Sequence, residues 1–87
     1  MKDALLASAL MNVGGVLMRK RLYGQGAEVF RRALTLRRAV LPPENPGISR
    51  CMHNLGACLL GEMKYDQALA QFEECLEIRR WVGAHRE

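Results

Sequence analysis

A pattern that reads Met52-x-x-Leu55-Gly56-x-x-Leu59 and then Ala68-x-x-x-Phe72 has a counterpart 42 residues upstream. There it reads Leu10-x-x-Val13-Gly14-x-x-Leu17, followed by Gly26-x-x-x-Phe30. Laying residues 1–45 on 43–87 gives ten identities, among them Asn12/Asn54, Gly14/Gly56, Tyr23/Tyr65, Phe30/Phe72, Leu34/Leu76, Arg37/Arg79 and Arg38/Arg80. Self-similarity at one fixed offset restricts the chain to a stack of like units, because each unit carries an apolar stripe that it cannot bury alone.

The spacing inside each unit is helical. Leu6, Leu10, Val13 and Leu17 recur at steps of four, three and four, which predicts a buried face on a first helix from Asp3 to about Lys20. Asp3 is placed to cap its start, and the cations Arg19, Lys20 and Arg21 suit its negative end. Gly14 and Gly15 are costly inside a helix, so both are expected at a close approach of a second backbone. Tyr23 opens a second helix with Ala27, Phe30, Ala33, Leu34, Val40 and Leu41 as its stripe, leaving Arg31, Arg32, Arg37 and Arg38 outside it.

Pro42, Pro43 and Pro46 end that helix and make a short, stiff linker over 42–47. A third helix follows from about Gly47 to Gly61, with Ile48, Met52, Leu55 and Leu59 on one face. After a break the fourth runs from Tyr65 to about Val82, with Ala68, Leu69, Phe72, Leu76 and Ile78 buried. The reading is all-α: a single domain over 1–87, with repeat one at about 3–41 and repeat two at about 48–82.

Composition narrows the function classes. A chain of 87 residues forms one small domain. Its net charge of +4 favours anionic or acidic partners but is modest for a dedicated nucleic-acid binder, and the few aromatics leave no stacking platform for single strands. Three cysteines without close pairs fit a reducing, cytoplasmic setting. The run from Ala4 to Val13, broken by Ser8 and Asn12, is too short for a membrane span and carries the spacing of the repeat rather than of a leader.

No nucleophile with a base and an orienting acid, no phosphate-cradling loop and no paired carboxylates in an apolar setting are present, so no enzyme and no cofactor are expected. Cys51, Cys58, Cys75, His53 and His85 lack metal-ligand spacing, and buried thiols are the expectation.

The two units resemble tetratricopeptide repeats. The 42-residue period, the long second helix and the Pro-Pro-Glu-Asn-Pro linker look like the kinesin light chain and nephrocystin variety. Asn54-Leu55-Gly56 and Leu76-Glu77-Ile78-Arg79-Arg80 carry the likeness, while Gly26 and Cys75 stand where the family keeps alanine. The resemblance implies four helices in two helix-turn-helix units, a short right-handed α-solenoid. It also implies a scaffold that holds a peptide segment of a partner protein in a groove walled by the first helix of each unit.

On that reading the equivalent Asn12 and Asn54 stand near the groove wall, where an amide either offers both donor and acceptor to a peptide main chain or bonds between neighbouring helices and shapes the stack. Arg50 and His53 are their neighbours, and Ser8, Met11, Gly15 and Met18 occupy comparable exposed places in the first unit. An acidic or apolar peptide is the expected partner. Met11 and Gly15 stand where the chaperone-tail-binding members keep Lys and Asn, which counts against that activity. Two repeats are fewer than the three usually needed for stability. The chain is therefore expected either to be part of a longer array or to self-associate through its end faces, with Trp81 and Val82 on the last of these. A basic contact with nucleic acid or membrane through the arginine pairs is the remaining alternative.

Overall fold

The computed structural model describes residues 2–85, and they form four helices: α1 (Lys2–Arg19), α2 (Tyr23–Val40), α3 (Pro46–Gly61) and α4 (Tyr65–His85). There is no strand among the described residues. α1 and α2 form one antiparallel hairpin and α3 and α4 a second; α2 packs between α1 and α3, while α4 packs along α3. The result is the solenoid-like, all-α stack that the repeated frame predicts.

Each hairpin turns in the same way. Leu22 N donates to Leu17 O and Arg21 N to Met18 O, and Lys64 and Met63 repeat the pattern on Leu59 and Leu60. These are Schellman caps, and they place Arg21 (φ 63°) and Met63 (φ 62°) in the left-handed region at equivalent positions. The backbone therefore ends α1, and the cationic run adds to a stop already made. Asp3 lies within the first turn of α1 rather than capping it, where its carboxylate suits the positive helix end. α3 has the capped start: Asn45 Oδ1 accepts from Gly47 N at 2.8 Å, and Pro46 fills the first helical position, where no donor is needed.

A ring seated in a notch fixes each hairpin. A methyl added at Gly14 would lie 2.7 Å from the Phe30 ring, and one added at Gly56 would lie 2.7 Å from the Phe72 ring. The close approach expected at Gly14 is thus made by an aromatic side chain rather than by a second backbone. Gly15 has nothing within 4 Å of such a methyl and serves no packing role.

The core is one cluster running through both units: Ala27, Phe30, Ala33 and Leu34 from α2; Ile48, Cys51, Met52, Leu55, Cys58 and Leu59 from α3; Ala68 and Cys75 from α4. The stripe expected on α1 is displaced. Leu6 and Val13 are exposed, and Ala7 and Gly14 are buried in their place, with Leu10, Met11 and Met18 half-buried against the cluster. On α4, Leu69 and Leu76 are exposed where burial was expected, and on α2 Val40 is exposed. For α1 and α4 the physical reason is shared: the apolar arc of each helix is wide enough for two neighbours, and each has only one flank covered; Val40 is the last residue of α2.

Candidate functional site

The face that the repeat assigns to partner binding lies on α1 and α3. Taking 100° per residue, the buried residues of α3 fill one arc, and Arg50, His53, Asn54 and Ala57 share the opposite one. Arg50 and His53 are exposed and Asn54 is half-buried; on α1 the equivalent Asn12 is exposed. His53 is held by a tilted ring contact with Phe72, with centroids 5.6 Å apart at 56°. That contact fixes the imidazole to the hairpin lock of the second unit.

Met11 and Met18 depart from the expected exposed setting. Both are half-buried against the core, and the Cys51 thiol donates to Met11 Sδ at 3.4 Å. This sulfur pair joins α1 to α3 at one level. Asn12 follows Met11 directly, so it stands beside the place where the two walls meet. At most an edge of Met11 or Met18 is available to a ligand.

Arg37 also departs from expectation. Instead of lying outside the stripe it is half-buried, and its Nη1 donates to Gly47 O at 2.8 Å and reaches Cys51 Sγ at 3.7 Å. It therefore clasps the end of α2 to the start of α3. Its spacing from Phe30 and Leu34, seven and three residues on, is the signal that places it on the packed face. Burial pushes the Cys51 thiol up from its ordinary range, with the Arg37 guanidinium partly offsetting this. Burial and the nearby Glu62 carboxylate both push Cys58 up. Cys51 and Cys58 are accordingly neutral packing groups, and the Cys75 thiol donates to Ser49 O at 3.3 Å.

Clefts not expected from sequence lie on the other side, between the linker and α4. One of about 480 Å³ is lined by Pro43, Glu44, Glu77, Ile78, Arg80 and Trp81, and a neighbour of about 470 Å³ shares Pro43, Glu77 and Ile78 with it. Neither includes Asn12, Asn54, Arg50 or His53. Trp81 is exposed at this rim and stacks on His85 at 4.1 Å, while Val82 lines a smaller cleft with Glu44, Ser49 and Arg50. Both residues thus border the linker. Among the described residues no group of three or more His, Cys, Asp or Glu is placed to hold a metal ion. No helix is long and apolar enough to cross a membrane.

The family model for the tetratricopeptide repeat matches residues 5–80, across all four helices and both ring-and-notch locks. The chain belongs to the tetratricopeptide-repeat family. No curated protein is matched by it. Tetratricopeptide repeats are non-catalytic helical scaffolds that generally mediate protein–protein interaction.

Proposed function

We propose that the chain is a cytoplasmic scaffold whose α1–α3 face holds an extended peptide segment of a partner protein, with Asn12 and Asn54 pairing its main chain. The observation that carries this reading is the equivalent placing of the two amides on the outward arcs of the first helix of each unit, beside the Met11–Cys51 contact. Exposed Arg50 and His53 add cationic and hydrogen-bonding character, which favours an acidic segment. The 42-residue period and the proline-rich linker support the kinesin light chain and nephrocystin variety, and three buried free thiols support a reducing compartment.

Binding of labelled acidic and basic peptides, followed by fluorescence polarisation, tests the assignment. Asn12→Ala/Asn54→Ala should weaken an acidic peptide by roughly tenfold, since each lost amide contact is worth about 0.5–1.5 kcal/mol, with helicity unchanged. Equal affinity of the double variant would remove the two amides from the site.

A second reading has its own observation. Exposed Leu6, Val13 and Val16 on α1 and exposed Leu69 and Leu76 on α4 leave an apolar flank at each end of the stack. Such flanks favour a segment that assembles, either within a longer array or with another chain.

A further inference from the structure

Because the chain contains two copies of one unit, each exposed residue at its ends has a counterpart at the covered junction in its middle. At that junction α2 supplies one half of the contact. The Tyr23 ring lies over Gly61, close enough that a methyl there would stand 2.6 Å from it. Ala27 and Leu34 join the cluster that contains Ile48, Leu55 and Cys58, Arg37 donates to Gly47 O, and Arg38 pairs with Glu74 at 3.2 Å. α4 carries most of this half at the repeat offset: Tyr65, Leu76, Arg79 and Arg80 are identical to their counterparts and all four are exposed, while Ala68 and the exposed Leu69 stand at the places of Gly26 and Ala27.

The other half of the contact is not reproduced at the α1 end. Where the second unit has Gly61, the first has Arg19; where it has Cys58, the first has Val16; where it has Glu74, the first has Arg32. Stacking a second copy on α4 by repeating the internal junction would drive the Arg19 stem into the Tyr65 ring. It would also set Val16 against Ala68, at a place where a methyl on Gly26 already lies 3.0 Å from the Cys58 sulfur. Arg32 would then oppose Arg80. One clash, one overpacked contact and one like-charge pair replace a close fit and an ion pair.

We infer that the α4 flank is a docking site for a helical hairpin of the α3–α4 kind, and that the α1 flank excludes a second copy of this chain from it. The hairpin it accepts has glycine opposite Tyr65, a small residue opposite Ala68, apolar residues at the places of Ile48 and Leu55, and a carboxylate opposite Arg80. Head-to-tail stacking of identical copies would be a heterologous contact that does not close and would grow into filaments. Arg19, Val16 and Arg32 block that growth while leaving the α4 flank able to bind. The inference does not depend on the groove on α1 and α3.

Two experiments test it on the full chain. Joining residues 42–84 in frame after Gly83 adds a hairpin with the accepted features, and the same addition with Gly61→Arg/Glu74→Arg in the added unit removes two of them. The first fusion should unfold as one cooperative unit, with an unfolding constant at least about tenfold smaller than the second, the usual scale of an overpacking penalty. In the second experiment Arg19→Gly/Val16→Cys/Arg32→Glu gives α1 the accepted features, and sedimentation should show concentration-dependent assembly that the unmodified chain lacks. Equal stability of the two fusions, or a triple variant that sediments like the unmodified chain, would overturn the inference.

Discussion

The α2–α3 junction and the two ends of the stack carry an apolar stripe at equivalent positions, yet only the junction buries it. Leu34 on α2 is 6% exposed and its counterpart Leu76 on α4 is 50% exposed; Leu55 on α3 is 3% exposed and its counterpart Val13 on α1 is 49% exposed. Within one unit the ring of Phe30 or Phe72 fills the notch at Gly14 or Gly56 in both copies alike. Hairpin packing is therefore a property of the unit, whereas burial of the leucine stripe is a property of having a neighbour. Stability in such an array is a sum of unit terms and neighbour terms, and this chain has two units and one neighbour contact.

The sharpest way to break that comparison is to truncate matched leucines. Leu34→Ala should destabilise by about 2–5 kcal/mol, as expected for a buried leucine, and Leu76→Ala by under about 1 kcal/mol, both read from urea unfolding by circular dichroism. Equal losses would mean that the two stripes are covered alike in solution.

A second pair sharpens the account of the hairpin. Gly14→Ala should cost about 1–3 kcal/mol because its methyl meets the Phe30 ring. Gly15→Ala, one residue on and with open space, should stabilise by up to about 1 kcal/mol through helix propensity. Thermal unfolding of the two variants separates a notch from an ordinary helical position; a stabilised Gly14→Ala would remove the lock.

The smallest expected effect concerns the turns, which are the same in both units. Arg21→Gly and Met63→Gly relieve a left-handed residue that carries a Cβ, and each should gain about 0.5–1 kcal/mol in the same assay. A loss at either site would show that the side chain outweighs its backbone strain.

Much of this architecture was legible in the residues. The offset of 42 and the positions of Gly14, Gly56, Phe30 and Phe72 carry the two hairpins, and the prolines carry the break between them. What periodicity could not assign was which part of a wide apolar arc meets which neighbour, so Leu6, Val13, Leu69 and Leu76 were expected inside and lie outside. Arg37 was misplaced for a related reason: residue type suggests solvent, while the face it shares with Phe30 and Leu34 brings it to the Gly47 carbonyl. On the α1–α3 face the spacing assigned Asn12, Asn54, Arg50 and His53 to outward arcs. It could not foresee that the flexible Met11 and Met18 would turn back toward the core, as thioethers do where a gap is irregular.

The ring-and-notch contact also bears on how the molecule reaches this state. Phe30 is sixteen residues from Gly14, and Phe72 is sixteen from Gly56, so each clasp closes a short loop. Closing such loops is fast. Each half of the chain therefore closes its clasp through contacts local in sequence, whereas the seat of the Tyr23 ring on Gly61 joins residues far apart in the chain.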